Sequence, residues 1–162
     1  MNTDRIEKKI LLHAPLARVW RALVDSTEFG AWFGIRFAGP FVAGSSVHGV
    51  ITPTTIDADV GNAQKTHEGV AFEIQVEKIE PQRLFSFRWH PGAVDPQKEY
   101  SKEPTTLVEF SLEETAEGVL LTVTESGFER IPLERRAKAF ADNDQGWTMM
   151  VKVIGKYVGQ KP

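Results

Sequence analysis

The chain has 162 residues, 41% hydrophobic and 25% charged, which suits one globular domain able to bury a sizeable core. It has no cysteine, which excludes disulfides, iron–sulfur clusters, thiol nucleophiles and cysteine-ligated zinc. A net charge of −3 lacks the basic excess of a nucleic-acid binder, so no nucleic acid is expected as a partner. No stretch reaches the roughly 20 apolar residues of a membrane span. The N-terminus lacks the apolar run of a signal peptide. A cytoplasmic protein with no membrane partner is therefore expected.

Residues Arg5 to His13 alternate as a first strand, with Ile6, Lys8, Ile10 and Leu12 on one face. Ala14-Pro15 ends it, and Pro15 suits the first turn of a helix. Val19, Trp20, Leu23 and Val24 form that helix's stripe. Asp25-Ser26 caps a second short helix whose apolar contacts are Phe29, Trp32 and Phe33. Short strands follow at Ile35 to Phe37 and Ser46 to Ile51. From Thr52 to Glu68 no periodicity is visible, which predicts a long, mobile loop over one mouth of a cavity.

Val70, Phe72, Ile74 and Val76 alternate with polar residues, giving the clearest strand. Pro81-Gln82 turns the chain back into Phe85, Phe87 and Trp89, with Arg88 and His90 assigned to the outer face. A polar loop is expected from Pro91 to Pro104. Val108, Phe110 and Leu112 form the next strand, and a turn at Gly118 leads to Leu121, Val123 and Glu125. Pro132 marks the start of a last helix. In its GWTMMVKVIGKYV segment, Trp147, Met150, Val151, Ile154 and Val158 make one apolar stripe, with Lys152 and Lys156 off it. The elements predict an α+β fold in which a curved antiparallel sheet of six or seven strands wraps around a long C-terminal helix, with two short helices after the first strand.

Several segments carry a family resemblance. HAPLARVWRAL (13–23) resembles an opening of Ala-Pro followed by Val-Trp. VEKIEPQRLFSFRW (76–89) resembles a strand pair joined by a proline turn. TTLVEFSLEE and LLTVTESGF resemble the last hairpin, and GWTMMVKVIGKYV resembles a terminal-helix signature. With Trp32, they resemble the START-like (SRPBCC) superfamily, and within it the family of the activator of heat-shock protein 90 ATPase. The resemblance implies a helix-grip fold over residues 1–162 as a single domain. The chain departs from the family at Gly44-Ser45, where a Gly-Gly is common, and in its longer Thr52–Glu68 loop. The co-chaperone's separate N-terminal domain has no expected counterpart.

Functional motifs are sparse. His13, His48, His67 and His90 show no HxH or HExxH spacing, and Asp57, Asp59 and His67 read as a solvated loop, so no metal site and no cofactor are expected. No GxSxG, phosphate loop or GxGxxG occurs. The informative polar residue is Glu125, which continues the inward face of Leu121 and Val123. There it is a candidate acid, base or ligand anchor. The alternative is that a twisting strand end carries it to water or to Arg36.

The aromatics Trp32, Phe33, Phe72, Phe87, Trp89 and Trp147 either fill the space between sheet and helix or line a pocket for a flat apolar ligand. Ile74, Val123, Met150, Val151 and Ile154 complete that candidate cavity, with Glu125 as its polar group. The first expectation is binding of a small hydrophobic molecule without catalysis. A cyclase- or hydratase-type enzyme using Glu125 and a chaperone-contacting module are the alternatives, and a homodimer is compatible with all three.

Overall fold

A computed structural model describes residues 5–91 and 102–159. The strands are β1 (Arg5–Leu12), β2 (Ile35–Phe37), β3 (Ser46–Ile51), β4 (Ala71–Glu80), β5 (Leu84–Trp89), β6 (Thr106–Thr115) and β7 (Gly118–Ser126). They form one antiparallel sheet in the order β1-β7-β6-β5-β4-β3-β2. The helices are α1 (Leu16–Val24), α2 (Ser26–Phe33), α3 (Ala58–Gln64) and α4 (Leu133–Gly159). The curved sheet grips the 27-residue α4, giving the helix-grip fold. Most of the expected loop from Pro91 to Pro104, at residues 92–101, lies outside the described residues.

Alternation decides which strand face is buried. On β7, Val119, Leu121, Val123 and Glu125 point inward, and β6 answers with Val108, Phe110 and Leu112. A bulge between Val76 and Lys78 in β4 absorbs Glu77, whose carboxylate accepts from Arg88 Nε at 3.0 Å on the outer surface. Lys8 shares the inward face of β1, and its amine reaches Asp144 of α4 at 2.9 Å. Two short helices fill the other side. Asp25 caps α2 by accepting from the N–H groups of Thr27 and Glu28. Glu28 then accepts from Arg18 and Arg21, and from Tyr157 of α4 at 3.1 Å, tying α1 and α2 to the long helix. Burial first, and then the charge of Glu28, pushes the Tyr157 phenol upward from its ordinary value.

Two expectations are corrected by packing. The stripe of α4 buries Val153 fully, whereas Val151 is only partly covered; the helix face is rotated by a fraction of a turn from the one inferred. The stretch Thr52–Glu68 is also not a continuous loop. It contains α3 and a 3-10 turn at Lys65–His67. The Asp57 carboxylate caps α3 at the Val60 N–H, and Lys156 pairs with the same carboxylate. Only Val60 and Gly61 of α3 are buried, so a one-turn apolar contact left no readable period.

Candidate functional site

The polar centre of the interior is assembled by register. Trp89, the last residue of β5, pairs with Thr106 on β6, and Val108 pairs with Glu125 on β7. These pairings bring Trp89, Thr106 and Glu125 side by side at one end of the sheet. From the helix side, Asn143 and Trp147 lie four residues apart on one face of α4. Glu125 is fully buried. Its Oε2 accepts from Trp89 Nε1 at 2.7 Å, Thr106 Oγ1 at 2.5 Å and Asn143 Nδ2 at 3.0 Å. Its Oε1 accepts from Trp147 Nε1 at 2.9 Å and Asn143 Nδ2 at 2.9 Å. Among the described residues no cation forms an ion pair with it; neutral donors do the work of solvation.

In front of this centre lies a cleft of about 200 Å³. Phe33, Ile35, Ile51, Phe72 and Trp89 supply its apolar wall, and Gln64, His67, His90 and Asn143 its polar groups. A neighbouring space of about 140 Å³ shares Phe33, Trp89 and Asn143 and adds Gly146, Trp147 and Met150. The wall is built of tilted rings. Phe72 meets Trp89 edge-on at 5.5 Å and 86°, and Trp147 stacks on Trp89 at 5.8 Å and 27°.

The segment around α3 forms the other side. Gln64 Nε2 donates to the Phe33 carbonyl, and its Oε1 accepts from the Thr54 N–H, both at 2.9 Å. The Thr54 hydroxyl donates to the Ala31 carbonyl at 2.7 Å. Gly34 ends α2 in the left-handed region at φ 93°, and a Cβ there would stand 2.4 Å from Gln64 Oε1. Only glycine lets the latch of Gln64 sit so close.

The residues singled out by sequence divide into three groups. Phe33, Phe72, Trp89, Trp147 and Met150 line the two spaces. Trp32, Ile74, Phe87, Val123 and Ile154 are buried in the packed core and line neither, and Val151 lines neither although partly exposed. Glu125 points inward, away from Arg36, but is sealed behind Trp89, Asn143 and Trp147. A ligand in the cleft would therefore meet Asn143 before Glu125.

His90, assigned to the outer face, instead lines the cleft, because β5 has ended at Trp89 and alternation no longer governs it. Asn143, Gln64, His67 and Thr106 were missed. Asn143 had a signal: counting back one turn from Trp147 along the stripe reaches it. Gln64 and His67 had none, since they depend on the fold of α3. Among the described residues no group of three or more His, Cys, Asp or Glu side chains could hold a metal ion.

Solved structures match this architecture along nearly the whole chain. DynU16, a protein of the dynemicin biosynthetic locus, is 25% identical with a TM-score of 0.69. The match covers 97% of this chain and 48% of that one, so this chain spans about half of its length. CV1439 of Chromobacterium violaceum is 17% identical with a TM-score of 0.71, covering 99% and 100% of the two chains. The Aha1 dimer of Colwellia psychrerythraea is 15% identical with a TM-score of 0.66, covering 95% of each. A comparison with curated proteins finds no match. The family described as Activator of Hsp90 ATPase homolog 1-like protein matches residues 13–159, and the chain belongs to that family.

Proposed function

We propose that the protein binds a small, mainly apolar molecule in the cleft between α2, α3 and the Trp89 end of the sheet. The observation that carries this reading is the mismatch between a filled core and an unfilled end. Phe29, Phe85, Phe87 and Phe110 are fully packed, while Phe33, Phe72 and Trp89 leave about 200 Å³ open beside four polar side chains. An apolar wall with few polar groups is the usual composition of a small-molecule site. The space suits a molecule of one or two rings rather than a long lipid.

The test is a panel of one- and two-ring compounds, read by the indole N–H resonance of Trp89 in two-dimensional NMR. Binding is expected to move that resonance, and Ile51→Trp, which fills the cleft, is expected to abolish the movement while the fold is kept. No movement with any compound at about 1 mM, the weak end of specific affinity, overturns the reading.

Family membership favours a second reading, contact with a heat-shock protein 90 chaperone. Titration of the purified protein with that chaperone, followed by ATP hydrolysis, separates the two. Stimulation that survives Ile51→Trp would favour the chaperone role over the cleft.

A further inference from the structure

The cleft's polar end is defined by which way the Asn143 amide faces, and Glu125 sets that direction. The inner side of Asn143 meets a carboxylate whose other partners, two indole N–H groups and one hydroxyl, all donate to it. An indole nitrogen donates only, and a carboxylate surrounded in this way has only acceptor capacity to offer Asn143. With Glu125 ionised, the amide turns its NH₂ inward, where Nδ2 stands 2.9 and 3.0 Å from the two carboxylate oxygens. Its carbonyl oxygen is left over. No described residue donates to it, and it is not among their sealed unpartnered atoms, so it is presented to the cleft that Asn143 lines.

Among the neighbouring polar groups, His90 agrees in sign. His90 Nε2 faces the Glu103 carbonyl at 3.0 Å, and that contact requires the nitrogen to carry the proton. In the neutral ring Nδ1 is then an acceptor. Gln64 is consumed at both ends, donating to Phe33 and accepting from Thr54, and has little left for a ligand. The edges and faces of Phe33, Phe72 and Trp89 make the rest of the wall. An acceptor facing an aromatic slot rewards a flat molecule carrying one hydrogen-bond donor, and it leaves an ether or carbonyl ligand opposed oxygen to oxygen.

We infer that Asn143 is the specificity-determining residue of the cleft, its carbonyl oxygen selecting flat aromatic ligands that carry a hydroxyl or N–H donor. This rests on the reading of the cleft as a small-molecule site. Glu125 is a positioning residue, acting through Asn143 and touching no ligand.

Indole and benzofuran test it, because they share shape and differ in an N–H against an ether oxygen. Both are titrated into the whole protein by NMR, following the side-chain amide of Asn143 and the indole N–H of Trp89. Indole is expected to bind about tenfold more tightly, the worth of one good hydrogen bond. Asn143→Leu is expected to remove that preference, because Leu nearly matches the volume and takes away the oxygen that meets the indole N–H and opposes the benzofuran oxygen. Equal affinities in the unmodified protein overturn the inference and leave an unselective apolar cleft. A preference that persists in Asn143→Leu overturns the assignment to Asn143. If neither compound moves the Trp89 or Asn143 resonances while another member of the panel does, this inference fails and the small-molecule reading stands; if no member of the panel does, both fail. The comparison in the unmodified protein stands even if the variant does not fold.

Discussion

Phe29 and Glu125 sit at the two ends of one aromatic core and are both sealed from water, but they are held by different physics. Around Phe29 other rings crowd in, among them Trp32 at 4.8 Å, Phe41 at 5.7 Å and Phe110 at 5.9 Å, all tilted or edge-on. Around Glu125 the aromatic residues Trp89 and Trp147 turn polar edges inward and donate to a carboxylate. At the apolar end the rings of Phe29, Phe85 and Phe110 pack directly on one another. The polar end must hold its donors at fixed angles, and rings held by hydrogen bonds cannot also collapse to fill space. The cleft opens at that end.

The largest effects separate these two regimes. Phe29→Ala and Trp147→Ala each remove a large buried ring, and each is expected to cost about 3–5 kcal/mol in urea unfolding. They should differ in what remains. Phe29→Ala is expected to leave the Trp89 indole resonance where it was. Trp147→Ala is expected to shift it, because both indoles share Glu125 and stack on each other. Identical spectra for the two variants would mean that the ends are not distinct.

Glu125→Gln is the next largest. The shape is kept, but an amide cannot accept at both positions. Whichever way it sits, an NH₂ faces one indole N–H, of Trp89 or of Trp147. A buried donor left without an acceptor costs about 1–3 kcal/mol. Thermal unfolding is expected to show that loss, and the Asn143 amide is expected to lose its fixed orientation. A Glu125→Gln protein as stable as the parent would show that water already solvates the carboxylate.

Gly34→Ala sharpens the comparison from the other side of the cleft. It introduces a left-handed residue, at about 1–2 kcal/mol, and its Cβ displaces the Gln64 amide. Faster hydrogen exchange at Val60 and Gly61, with the β6–β7 hairpin unchanged, is the expected result. Uniform acceleration across the sheet would mean that α3 is not a separate unit.

Much of this was legible in the residues, because the fold is written in alternation. Phe85, Phe87 and Trp89, and Leu121, Val123 and Glu125, keep a strict period of two, and the sheet places each set on the inner face. The inward direction of Glu125 follows from the same period. Its sealing does not, since that depends on Thr106 from β6 and on Asn143 and Trp147 from α4, which only register and helix docking bring together. His90 misled for a related reason: alternation was extended one residue past the end of β5. The α3 region was illegible because its anchors are polar contacts to backbone, Gln64 to Phe33 and Thr54 to Ala31, which leave no apolar pattern.

The smallest effect is a pH dependence confined to the cleft side. The hydrogen bond from Lys156 and then the Val60 N–H hold the Asp57 carboxyl below its ordinary value of 3.8. A carboxyl depressed on folding adds stability that is complete above its unfolded value and is lost as pH falls through the folded one. Protection of the α3 amides, corrected for intrinsic exchange, is therefore expected to be flat from neutral pH down to about 5 and to fall only below 3.8. Asp57→Asn keeps a capping oxygen but removes the charge that Lys156 meets. It is expected to lower α3 protection a few-fold at neutral pH, as an exposed ion pair would, and to abolish the acid-dependent step. Phe110 and Phe85 lie in β6 and β5, apart from α3 and the Asp57–Lys156 pair, so exchange at their amides should not follow this step. If the parent and Asp57→Asn lose α3 protection in parallel below 3.8, then Asp57 is not the tether. Acid would then act on α3 only through the fold as a whole, and the cleft side would have no titrating anchor of its own.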